Sequence, residues 1–159
     1  DLSQVVAGFN FDAMLPTGLT NDMVVVGYGA SELEDLLELE LQQTGRYVNP
    51  DPNPDKGYFY RSDHISLAKR GVPMLYAGGG FDLVNGGREA GFAFAESYRL
   101  DAYHGVADEY DESWNLEGLN QSIDVIFSIG NKLANNSQWP NWYEGNEFKS
   151  IRDASRAGK

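Results

Sequence analysis

The chain has 159 residues, 42% apolar and 13% aromatic, with 24 acidic against 12 basic side chains and a formal charge of −12. That size and apolar share suit one globular domain burying about two thirds of its unfolded surface, which excludes a disordered chain, and no apolar run reaches the ~18 residues of a membrane span. The acidic excess repels phosphate backbones and so excludes nucleic acid as an expected partner, while it suits metal cations or a cationic substrate.

The sequence opens at Asp1 rather than at a methionine, so the lack of a signal-like segment excludes no targeting. Gln4–Phe11 (QVVAGFNF) is a nearly continuous apolar run, as expected of a strand buried on both faces, and it stops at Asp12 before Pro16 and Gly18. Met23–Tyr28 (MVVVGY) predicts a second buried strand. Ser31–Thr44 predicts a helix: Ser31 can cap it, Glu34 completes a capping box, and Leu33, Leu36, Leu37 and Leu41 form its apolar face before Gly45 closes it. Arg46–Val48 reads as a short strand. Pro50, Pro52 and Pro54 then impose an extended linker up to Gly57.

Tyr58–Gly80 (YFYRSDHISLAKRGVPMLYAGGG) predicts a helix capped by Ser62 or Asp63 that ends at Gly71, followed by a strand at Val72–Ala77. From Gly78 to Ala102 glycine and aromatics alternate without period, which reads as a loop. Tyr103–Gly118 (YHGVADEYDESWNLEG) reads as an acidic loop carrying one of the two histidines. Leu116–Asn135 predicts the last long helix, with Leu116, Leu119, Ile123, Ile126, Phe127 and Leu133 near helical spacing. The tail holds Trp139, Trp142, Tyr143 and Phe148, enough aromatic area to dock on the body. Strands alternating with helices give an α/β fold, with three layers and a mostly parallel or mixed central sheet.

With no cysteine in the chain, a metal site must use Asp, Glu and His, which favours zinc in a carboxylate-rich site or a harder cation. Gly27-Tyr-Gly-Ala-Ser-Glu32 lies between a strand and a helix, where a dinucleotide fingerprint would lie. Its third glycine is replaced by Glu32, however, so a nucleotide site is not expected. In open α/β sheets ligands bind beyond the carboxyl ends of strands, and Asp12 sits at such an end. Ser62-Asp63-His64 marks a helix start, and Tyr103-His104 opens the acidic loop. Taken singly, Asp12 reads equally as a turn residue, Ser62-Asp63 as plain capping, and His104 as an incidental member of a solvated loop.

Taken together, the segments FNFDAM, YRSDHISLAKRGVPMLYAGG, YHGVADEYDESWNLEG and WPNWYEG resemble the bacterial branch of the di-zinc aminopeptidase family. Its relatives include glutamate carboxypeptidases, glutaminyl cyclases and the transferrin-receptor ectodomain. The likeness runs over nearly the whole chain in the same order and spacing. It implies a zinc-exopeptidase-like fold, a peptide substrate, two zinc ions in the complete domain, and a periplasmic or secreted setting. It also implies that Asp12, after its buried strand, is a terminal ligand of one zinc. His104, preceded by Tyr103 and followed by Asp108, is then the ligand of the other. Tyr103 matches a position that stabilises the tetrahedral intermediate in some members. Ser62, Asp63 and His64 match a helix start bordering the substrate pocket and are expected as substrate contacts or as supports behind the ligands.

The same family also uses a His-x-Asp pair and a Glu-Glu pair upstream of the strand that ends in the ligand Asp. Only eleven residues precede Asp12 here, and they contain neither pair. The resemblance therefore implies that residues 1–159 are the C-terminal part of one catalytic domain. A missing N-terminal half or self-association is then the expected partner for a bare sheet edge. Two other readings on the same fold are a non-catalytic binding relative, disfavoured by retention of Asp12 and His104, and a glutaminyl-cyclase-type acyltransferase. The latter tends to carry Trp where this chain has Tyr103.

Overall fold

The computed structural model of the chain describes residues 1–158. Four short strands form one sheet: β1 (Gly8–Asn10), β2 (Asp22–Val25), β3 (Tyr47–Pro50) and β4 (Met74–Gly79), in the order β1-β4-β2-β3. β1 runs parallel to β4 with Gly8 opposite Met74, and β2 runs parallel to β3 with Asp22 opposite Tyr47. Between these pairs β4 is antiparallel to β2, Met23 facing Gly79, so the sheet is mixed. The long N-terminal run contributes only three strand residues: Leu2–Gln4 winds into a 3-10 turn capped by Asp1, and Arg152 donates to the carbonyls of Val5 and Val6.

Side chains alternate across the strands and feed two cores. Met23, Val25, Leu75 and Ala77 face α1 (Leu33–Gln43) and α4 (Glu117–Ala134), whose Leu33, Leu37, Leu41, Val125, Ile126, Ile129 and Leu133 close the larger core. Met74 and Val26 face the other way, onto Phe59, Ala68, Val72, Trp142 and Phe148. Fully burying one such aliphatic side chain is worth about 1.5–3 kcal/mol, so the two cores hold the sheet from both sides. Glu40 of α1, bonded by Ser128 and Lys132 of α4, ties the two helices together.

The apolar face of α1 is the one its leucine spacing predicts, but the capping box is half made. Glu34 turns back and accepts the N–H groups of Gly29 and Ala30 at 2.7 Å each and of Ser31 at 3.3 Å. The Ser31 hydroxyl is buried without a partner among the described residues. On α4 the expected face is partly wrong: Ile126 and Leu133 are buried, whereas Leu116, Ile123 and Phe127 stay 38%, 46% and 72% exposed. They lie on a second stripe left largely open by the described residues.

Two further expectations are corrected and a third is extended. The helix after His64 is a single turn, α2 (Ile65–Ala68), and no side chain caps it. The stretch read as loop up to Ala102 contains α3 (Gly87–Asp101), which buries only Gly91, against the carbonyl of Phe81. A helix so weakly anchored has little apolar period to read. The tail docks as expected through buried Trp142 and Phe148, and it adds α5 (Lys149–Arg156). Arg152 of that helix donates to the carbonyls of Val5 and Val6, and Arg156 to that of Ser3, binding the C-terminal end to the segment that leads into β1.

Candidate active site

Asp12 follows β1 by two residues, and Ala13 then takes a left-handed φ of 47° that turns the chain away from the sheet. The Asp12 carboxylate is exposed and accepts a hydrogen bond from the Tyr76 hydroxyl at 3.3 Å. Tyr76 is in β4, next to β1 and opposite Asn10. Burial pushes its phenol up to about 12, with Asp12 and Asp51 adding to the rise and the Ser62 hydroxyl opposing it. Tyr76 therefore stays a protonated donor at neutral pH and fixes one oxygen of Asp12.

Behind Tyr76 lies His64, only 3% exposed. Its ring stands edge-on to Phe59 at 4.6 Å and to Tyr76 at 5.3 Å. Neither ring nitrogen has a hydrogen-bond partner among the described residues. Burial pushes this imidazole down, against the opposing charges of Asp63 and Asp12, and so favours its neutral form. Ser62 donates to the carbonyl of Tyr58 at 2.9 Å instead of capping a helix, and Asp63 is exposed. Of the two roles expected for His64, its burial fits support behind the surface better than direct substrate contact.

The second expected ligand arrives by another route. Because β1 and β4 are parallel, Asp12 and the chain leaving β4 emerge at the same end of the sheet. Asp22, fully buried, fixes that exit: its carboxylate accepts from Phe81 N at 3.3 Å, Asp82 N at 2.9 Å and Asn49 Nδ2 at 2.7 Å. Beneath it Arg46 donates to the carbonyls of Thr20 and Asp22 and to the Thr20 hydroxyl. Burial pushes that guanidinium down to about 10, still charged at neutral pH. α3 then carries the chain to Tyr103 and His104. His104 is exposed and left-handed with φ 59°, its ring stacked on Tyr103 at 3.9 Å. Tyr103 lies 5.8 Å from Tyr98, whose hydroxyl donates to Asp108.

The structure thus brings Asp12, Ser62, His64 and Tyr76 together and places Tyr103 and His104 in a separate cluster with Tyr98 and Asp108. No described hydrogen bond or ring contact joins the two clusters. Among the described residues no three His, Asp or Glu side chains form a group able to hold a metal ion. A catalytic zinc takes about three protein ligands. The donors of this chain alone therefore do not fit a metal centre, and no chemical step is assigned through one. Tyr76 was missed by sequence reasoning; its signal was a polar-tipped aromatic within the otherwise apolar strand VPMLYA, which when buried needs a partner for its hydroxyl.

No curated protein and no solved structure matches the chain. A family match does exist, to Peptidase family M28 over residues 1–129. That stretch takes in all four strands, the Asp12–Tyr76–His64 cluster and the arm with Tyr103 and His104. With 129 of the 159 residues matched, the chain belongs to peptidase family M28.

Proposed function

We propose that this chain is the C-terminal part of the catalytic domain of a zinc-dependent exopeptidase, an aminopeptidase that removes N-terminal residues from peptides. The observation that carries the reading is Asp12. It lies inside the family match, at the carboxyl end of a sheet strand, with one oxygen fixed by Tyr76 and the carboxylate open to solvent. Asp12 and His104 would each hold one zinc ion, with the remaining ligands and the general base supplied by polypeptide outside residues 1–159. Zinc held there would supply Lewis-acid chemistry to the peptide bond.

The part of this chain is to position. Tyr76 and His64 back Asp12, Ser62 and Asp63 border the substrate, and the Tyr103 hydroxyl meets the developing oxyanion. The outer side of β1 is free to receive the rest of the domain. β1 is an edge strand, the Asn10 side-chain amide is buried without a partner among the described residues, and Val6, Ala7 and Phe9 with Gly130, Leu133 and Ala134 line an apolar groove of about 210 Å³.

Zinc calorimetry and an aminoacyl-nitroanilide assay test this on two samples. Residues 1–159 alone bind zinc weakly and hydrolyse nothing. The product of the whole reading frame hydrolyses the substrate, and both Asp12→Asn and His104→Ala abolish that. Nanomolar zinc affinity with hydrolysis by residues 1–159 alone, or full activity of either variant, overturns the assignment.

A further inference from the structure

Beyond the carboxyl ends of β2 and β3 lies an open cleft of about 300 Å³. Since β2 is antiparallel to β4, this is the opposite end of the sheet from Asp12, and neither Asp12 nor His104 lines the cleft. The ring of Phe59 divides it from His64. One wall is Gly27–Ala30, which follows β2. Gly29, with φ 89°, has nothing within 4 Å of where a Cβ would stand, and the same holds for Gly57 at φ 63° on the facing segment. Both walls thus present bare backbone to an empty space.

The polar character of the cleft decides what fits it. An anion is excluded, because Glu34 already takes the N–H groups of Gly29, Ala30 and Ser31 and adds its own carboxylate there. A metal ion is excluded too, since Asp51 is the single carboxylate lining the space. Asp51 spends one oxygen on the N–H of Asn53 at 2.8 Å, and its other oxygen takes no hydrogen bond from the described residues. Aromatic rings supply the rest of the surface. Tyr28 and Tyr60 are 49% and 57% exposed, and their hydroxyls are tied to Glu38 at 3.3 Å and Glu147 at 2.8 Å. These bonds fix the ring positions and put carboxylates at the rim. The flanking segments 51–60 and 144–148 carry Asp51, Asp55, Glu144 and Glu147 against Lys56 alone. Just outside them, Arg61 sits over the Tyr58 ring at 5.7 Å, and Lys149 is held by Asp153. Tyr58 therefore already accepts a guanidinium from its own chain.

Aromatic faces with a nearby carboxylate attract cations, and guanidinium above all. We propose that this cleft is a binding site for a basic side chain, an arginine or lysine presented by a peptide, with Asp51 pairing the charge and the Tyr28 and Tyr58 rings packing on its stem and head. The proposal does not rest on the peptidase reading.

The test is an amide chemical-shift titration of the 159-residue chain with acetyl-arginine amide, acetyl-lysine amide and the neutral isostere acetyl-citrulline amide. Expected are saturable shifts at Gly27, Gly29 and Gly57 with the two cations, and at least tenfold weaker binding of citrulline. Asp51→Asn weakens the arginine probe severalfold. Tyr28→Leu does the same and leaves the turn at Asn53 untouched, so it serves if Asp51→Asn disturbs the fold. Absence of shifts at these glycines, equal binding of citrulline, or shifts as large along the acidic loop 108–112 as in the cleft overturns the proposal.

Discussion

At His64 an imidazole has been moved out of water into the space between Phe59 and Tyr76, and its pKa falls below the ordinary 6.5 because burial penalises the charged form. The unfolded chain takes up that proton near pH ~6.5, whereas the folded chain does so only at lower pH. Between the two values the unfolded state binds more protons, so stability rises with pH. It is fully present above about pH 6.5 and is lost going down, at up to ~1.4 kcal/mol per pH unit. Urea unfolding at pH 7.0 and 5.5, taken as roughly bracketing that window, should show the loss in the parent chain and a smaller one in His64→Leu. An unchanged slope in the variant would mean that the imidazole takes up its proton at the same pH in the folded and unfolded chain. Glu34 is the other residue whose role burial sets. Glu34→Ala leaves the buried N–H groups of Ala30 and Ser31, and the exposed one of Gly29, without their acceptor, each buried one costing about 1–3 kcal/mol. The change is expected to destabilise by roughly 2 kcal/mol or more. Glu34→Gln keeps one acceptor oxygen and should cost well under half as much in the same unfolding assay.

Among the elements, the contrast between the docked tail and the outer stripe of α4 gives a second pair of measurements. Trp142 is 1% exposed and donates from Nε1 to the carbonyl of Gly71 at 3.1 Å. Trp142→Ala is expected to cost about 3–5 kcal/mol by the usual large-to-small penalty. Trp142→Phe keeps most of the packing, leaves that carbonyl unpaired, and should cost about 1–2 kcal/mol. Phe127 is 72% exposed, so Phe127→Ser should change stability by no more than about 0.5 kcal/mol. Thermal unfolding of the three variants checks the order, and a Phe127 effect as large as that of Trp142 would show that the stripe is covered. The connection from β4 to α3 offers a sharper probe. A Cβ on Gly80 would lie 1.7 Å from Asp22 Oδ1 and 2.5 Å from the Asp22 carbonyl oxygen. Gly80→Ala therefore forces Asp22 off Phe81 and Asp82 and should destabilise by about 2 kcal/mol or more, visible as a lowered urea midpoint.

Over the whole molecule, the helices α1 and α4 were legible because each carries an unbroken apolar stripe over at least eleven residues. The strands were legible as apolar runs, with ends displaced by a few residues. α3 was not, since its single buried residue, Gly91, gives no period, and α5 was missed because its most buried side chain is an arginine that pairs with distant carbonyls. That Asp12 follows a strand and that His104 lies in an acidic loop could be read from local segments. What surrounds them could not. The α/β class, the two long helices and the family could all be read from the chain alone, because those depend on local periodicity and short motifs. The insertion of β4 between β1 and β2, antiparallel to β2, the bond from Tyr76 to Asp12 and the burial of His64 behind it depend on how the closed sheet packs. Strands this apolar on both faces carry no local mark of neighbour or direction. Pairing Asp12 with Tyr76 joins positions sixty-four residues apart, which only the closed sheet brings within reach.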